Sequence, residues 1–148
     1  MPVLSSLGSA SVRQFRSIAP FYATGGTVTD VGGYRIHTFT SSGTFVVSGE
    51  EKQMEYLIAG GGGGGGGGIV YGGGGGGGGG GGLLTGSILV SESTYQIIVG
   101  GGAPGARDNN VAGNGGDSSA FGFTAFGGGG GGKTGSGADG ANGGGAGS

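Results

Sequence analysis

The sequence predicts an all-β chain, a small antiparallel β-sandwich interleaved with a bundle of polyglycine-II helices. Three observations predict it. Glycine supplies 49 of the 148 residues and comes in solid runs. Between the runs lie short stretches in which aromatic and β-branched residues alternate with polar ones, the pattern of half-buried strands. Those stretches lead directly into and out of the runs, so strands and glycine belong to one unit.

Residues 1–26 mix Ser, Ala and Gly with scattered Val3, Leu4, Leu7, Val12, Phe15 and Ile18, and read as an N-terminal arm or attachment segment. Residues 27–148 read as the glycine-rich β/polyglycine domain. Residues 34–40 alternate, Ser41, Ser42 and Gly43 break the run, and residues 44–48 are the expected hairpin partner. Residues 50–53 are turn-like, and 54–59 read as a third, mostly buried strand. Glycine then fills 60–68 and 72–82, interrupted only by Ile69, Val70 and Tyr71. Residues 83–90, the turn 91–93 and residues 94–99 read as a second hairpin, 105–116 as a polar loop, and 118–126 as one further strand. Glycine returns at 127–132, ahead of a Gly/Ser/Ala/Asn tail.

Polyglycine by itself suggests a flexible linker. Fixing each backbone unit costs about 1–2 kcal/mol, and glycine loses more freedom than any other residue. A polyproline-II-like helix of about three residues per turn points every amide and carbonyl outward. Without Cβ atoms several such helices pack side by side, and two outward bonds of about 0.5–1.5 kcal/mol each offset the entropy of one residue. A lone run stays disordered, whereas runs anchored by strands at Ala59, Leu83, Val99 and Phe126 order as a bundle reaching on the order of 30 Å. Gly60, Gly68, Gly72, Gly82, Gly127 and Gly132 bound its core.

Collagen is excluded, because proline is only 3 residues and glycine keeps no strict three-residue period. A net charge of −2 with 9% charged residues leaves no basic footprint for nucleic acid. There is no cysteine for a disulfide or a thiolate metal site, and no apolar stretch long enough to span a bilayer. No apolar core of a secretory signal is read at the start. Residues 127–134 formally fit the phosphate-binding loop G-x-x-x-x-G-K-T, but that loop works by opening a helix, which residues 135–140 cannot form. Residues 113–117 and 137–140 hint at calcium-binding repeats without the required tandem copies, so Asp108 and Asp117 read as turn carboxylates. His37 is the only histidine, set on a strand, and no nucleophile–base–orienter set assembles around it. The expected protein is not an enzyme and carries no cofactor or metal.

Several segments resemble a known family in order along the chain. They are Gly33-Tyr34-Arg35-Ile36-His37-Thr38-Phe39, Glu55-Tyr56-Leu57-Ile58-Ala59, Leu83-Leu84-Thr85-Gly86-Ser87, Tyr95-Gln96-Ile97-Ile98-Val99 and Asn114-Gly115-Gly116-Asp117-Ser118-Ser119-Ala120-Phe121. Together they resemble the glycine-rich domains of bacteriophage tail fibres and related virion proteins, notably of marine cyanophages. The resemblance implies a virion-surface protein, made in the host cytoplasm and usually homotrimeric, with other virion proteins as neighbours. It extends to phage adhesins whose polyglycine-II sandwich presents loops to a host receptor. This chain is shorter than a typical fibre and its runs are purer, which favours a tail-fibre, appendage or capsid-decoration subunit.

Two loop tips are the candidate contacts: Ile69, Val70 and Tyr71 between the long runs, and Arg107, Asp108, Asn109 and Asn110 in the polar loop. Each suits either a neighbouring subunit or a host surface glycan or protein. The alternative functions are a receptor-binding adhesin module that uses these tips and, in a different class, a cellular glycine-rich filament or ice-binding protein.

Overall fold

The alternating stretches resolve into strands in chain order: β1 (Tyr22–Thr24), β2 (Thr27–Val31), β3 (Tyr34–Thr38), β4 (Gly43–Ser48), β5 (Lys52–Ala59), β6 (Leu83–Val90), β7 (Ser93–Ile97), β8 (Ser118–Ala120) and β9 (Phe123–Ala125). The computed structural model describes residues 19–68, 73–108, 110–133, 137–140 and 142–147. Among these residues every regular element is a strand, and the sheets are small and antiparallel, as expected. One sheet has the order β1-β4-β7, and β2–β3, β5–β6 and β8–β9 are two-stranded.

Strand partnering departs from the sequence reading in three places. The stretch at 34–38 does not pair with 44–48. It turns back onto β2, because Gly32 and Gly33 both take positive φ (58° and 83°), the pair of conformations a two-residue type I′ hairpin turn requires. The freed β4 lies between β1 and β7, with Val47 opposite both Ala23 and Ser93. β1 thus stitches part of residues 1–26 into the sheet.

Second, β6 and β7 are not a hairpin. β6 pairs with β5 across the whole glycine excursion, from Lys52 opposite Val90 to Ala59 opposite Leu83. β7 leaves through a turn that Tyr95 ties down, its hydroxyl donating to the Ser91 carbonyl and accepting from the Ser91 amide at 3.2 and 3.1 Å. Third, residues 118–126 form two strands. Phe121 and Gly122 at the bend both take positive φ (55° and 84°), so β8 and β9 face each other with Ala120 opposite Phe123. A phenylalanine in that conformation is strained. Its ring offsets the strain by packing at 5.2 Å from Tyr95 and 6.0 Å from Phe45.

The inward residues of these strands form one core: Phe45 and Val47 from β4, Ile58 from β5, Val90 from β6, Ile97 from β7, Ala120 and Ala125 from the last hairpin. Phe45 is its hub, with the rings of His37, Phe39, Tyr95 and Phe121 around it. The β2–β3 ribbon stands outside, exposed along both strands except at His37, whose Nδ1 donates to the Gly25 carbonyl at 2.8 Å. Across the ribbon Arg35 grips Asp30 with two bonds of 2.9 Å.

Two outcomes follow from this core and ribbon. Phe45→Ala is expected to lower unfolding free energy by about 3–5 kcal/mol, while Val46→Ala, on the outer face of the same strand, changes it by about 0.5 kcal/mol or less. Urea titration of both variants checks the contrast. Hydrogen bonding from Arg35 holds the Asp30 carboxyl below its ordinary value of 3.8. A depressed folded value means the pair favours the folded ribbon above pH 3.8, and that contribution disappears as pH falls through the lowered value. An NMR titration should find Asp30 low in the wild type and back near 3.8 in Arg35→Gln.

Candidate contact surface

The glycine runs are ordered by bonds to one another, and those bonds repeat every third residue. Gly60, Gly63 and Gly66 donate to the carbonyls of Gly82, Gly79 and Gly76. Gly61, Gly64 and Gly67 donate to those of Gly116, Gly113 and Asn110. Gly62 and Gly65 accept from Ala103 and Ala106, completing the third row. Burial follows the same period, with Gly61, Gly64 and Gly67 buried and the residues between them more open. The segment 60–68 therefore turns one row of amides toward each neighbour. Its register with 73–82 is the β5–β6 register carried on beyond Ala59 and Leu83, so strands and glycine make one continuous two-chain ribbon.

Residues 127–132 lie at the centre and are all buried. Their six amides donate in turn to Asp117 Oδ1, Gly61, Asn142, Asn114 Oδ1, Gly64 and Gly145. The N–H groups a phosphate would need are therefore already donated within the chain. Lys133 follows the run, and Thr134 lies outside the described residues. Asn114 and Asp117 are not simple turn residues. Their side chains accept where no backbone carbonyl lies, and Asn142 Nδ2 donates likewise to Gly80 O at 3.1 Å.

Crowding explains the purity of these runs. None of their described glycines has positive φ, so an L-residue could adopt the backbone conformation. A Cβ could not fit. On Gly63 it would strike the Gly129 carbonyl, on Gly64 that of Pro104, and on Gly128 that of Gly79. Every third position is different: Gly62, Gly65, Gly77 and Gly80 would meet nothing closer than 3.6 Å.

The first glycine run reaches the polar loop at one end of the bundle. Gly67 donates to the Asn110 carbonyl at 2.9 Å two residues before Ile69, and Asn110 Nδ2 closes the loop on Arg107 O at 2.8 Å. Asp108 bends the loop with φ of 51°, and Arg107, Asp108 and Asn110 are exposed. Ile69, Val70, Tyr71, Gly72 and Asn109 lie outside the described residues. Lys133 sits at this end, because Gly132 accepts from Gly76. Of the named run boundaries, Gly60 bonds to Gly82, Gly82 to Phe126 O, and Gly127 and Gly132 close the buried centre. Gly68 is exposed. The sequence reading missed that 100–107, 110–116, 137–140 and 142–147 join the bundle. The available signal was small residues three apart, Ala103 and Ala106. Among the described residues no three His, Asp or Glu side chains gather into a metal site.

Gly63→Ala is expected to cost about 1–3 kcal/mol or more by overpacking. Asp117→Ala should cost about 1–3 kcal/mol by leaving the Gly127 amide buried and unpaired. Thermal denaturation of the two variants measures both.

No curated protein and no solved structure matches the chain. One family model does match, over residues 39–148, and it covers β4 to β9 and all of the glycine segments just described. The chain therefore belongs to the family of glycine-rich domains.

Proposed function

We propose that the protein is a structural, non-enzymatic subunit of a bacteriophage virion, part of a tail fibre, appendage or capsid decoration. The observation that carries this reading is the three-residue repeat of bonds joining the glycine segments. That repeat is the signature of polyglycine-II helices, and it supports a bundle of them set on a small β base. Such a bundle is a stiff element made of backbone, closely packed along its buried central segment 127–132. It suits a part that holds position and presents its end. The ordered resemblance to phage fibre domains supports placing it on the particle, in several copies beside other virion proteins. Homotrimers are the expected state.

Host attachment is the second reading, and one observation favours it: Arg107 and Asn110 are exposed beside Gly67, near the end of the first glycine run. That end carries Arg107 and Lys133 against one described carboxylate, Asp108, while Glu50, Glu51 and Glu92 sit at the base near the start of β5. An end with two cations to one carboxylate is suited to an anionic glycan or protein on the host surface.

Mass spectrometry of purified particles of the encoding phage is expected to find the chain in multiple copies, and its absence from the particles would sink the assignment. Replacing Tyr71 and Arg107 by Ala should lower adsorption to host cells at least tenfold if the tips bind the receptor. Unchanged adsorption leaves the structural role alone.

A further inference from the structure

The β5–β6 ribbon has one face on the core and one face with nothing on it. Met54, Tyr56, Ile58, Leu84, Ile88 and Val90 point inward. The opposite face carries Leu57, Leu83 and Leu89, which are 67%, 61% and 62% exposed, and only one charge, Glu55. Three bare leucines on one ribbon of a chain with so small a core are out of keeping with a face meant for water.

The glycine part of the same ribbon adds an independent observation. Packing within the chain requires glycine at two positions in three, yet the third, Gly62, Gly65, Gly77 and Gly80, is glycine as well although there is room for a side chain. Elsewhere the exposed positions of the bundle mix open glycines, among them Gly101, Gly105, Gly113 and Gly143, with larger residues, among them Pro104, Val111, Asn114 and Asn142. On the ribbon the described open positions are glycine throughout. Inside the chain, glycine this pure occurs where another backbone approaches closely, and the open row asks for the same from outside.

We infer that this ribbon, from the leucine face of β5–β6 through the open glycine row, is the surface on which a second copy of the chain seats. The inference rests on the multi-copy reading proposed above and names its interface. Size agrees. Eight-residue strands followed by the glycine from Gly60 to Gly66 give a face about 50 Å long and about 10 Å wide. Two such faces together bury on the order of 1,000 Å², where specific association begins. Composition agrees too, because another bare ribbon of this chain is the surface that brings backbone to backbone at the same three-residue spacing.

Light scattering after size-exclusion chromatography on the full chain tests this with three variants. Leu57→Asp/Leu83→Asp is expected to turn the oligomer into a folded monomer, since both side chains lie outside the core. Gly77→Ala, which meets nothing inside its own chain, should keep the wild-type circular dichroism and weaken association at least tenfold. Val31→Asp, on the separate β2–β3 ribbon, should leave assembly unchanged. An oligomer that survives both the leucine and the glycine changes overturns this interface and leaves the multi-copy reading standing. A monomeric wild type overturns that reading itself.

Discussion

Everything in this protein depends on backbones approaching closely enough to bond where no Cβ intervenes. In the centre of the bundle Gly128, Gly129, Gly131 and Gly132 each donate one hydrogen bond and accept another, all to different segments. Two net bonds of about 0.5–1.5 kcal/mol each are comparable to the 1–2 kcal/mol that fixing a residue costs. Neither a lone glycine segment nor a pair would reach that balance, because each would lose the bonds to its other neighbours. The bundle forms as a whole, and the β base makes this possible by delivering the segments already in register.

The continuity of β5–β6 with the glycine ribbon shows how that delivery works. In the strands the side chains alternate between core and surface, and Ile58 and Val90 are buried. Beyond Ala59 and Leu83 the same pairing continues, but the chains rotate so that three rows of amides face three directions. The hydrophobic core of Phe45, Val47, Ile58, Val90 and Ile97 fixes one end of the ribbon. The amide network takes over where side chains stop. The bonds of 60–68 to 110–116 and 127–132 are distant in sequence, so loop closure precedes most of the stabilisation, and folding is expected to be slow for a chain of this length.

How much of this was legible in the sequence depended on whether side chains carried the signal. The all-β class, a strand at 54–59 and the ordering of the long runs were readable, because alternation and run boundaries are written in residue types, although that strand begins at Lys52 and only Ile58 of it is buried. The partners of β4 and β7 were not, since several apolar strands of similar length offer equivalent mates and the choice is made by three-dimensional packing. The type I′ turn at Gly32-Gly33 was a local cue that outranks the Ser41-Ser42-Gly43 break. The membership of 100–107, 110–116, 137–140 and 142–147 was hardest to see. A lattice held by backbone groups leaves little side-chain pattern beyond Ala103 and Ala106, and the bonding roles of Asn114, Asp117 and Asn142 exist only once their neighbours are in place.

A bundle that forbids Cβ atoms also dictates where chemistry can reside. Its interior is closed to variation, because a side chain at most positions would strike a carbonyl of the next segment. Residue types can change only at the turns between segments and along rows that face outward. The described residues of the polar loop, Arg107, Asp108 and Asn110, are exposed at one end, where Gly67 donates to the Asn110 carbonyl. The outward row of Gly62, Gly65, Gly77 and Gly80 runs along the bundle, where an added Cβ meets nothing closer than 3.6 Å. Side chains can vary at either place and leave the bonds between segments intact, because those bonds are made there by backbone groups.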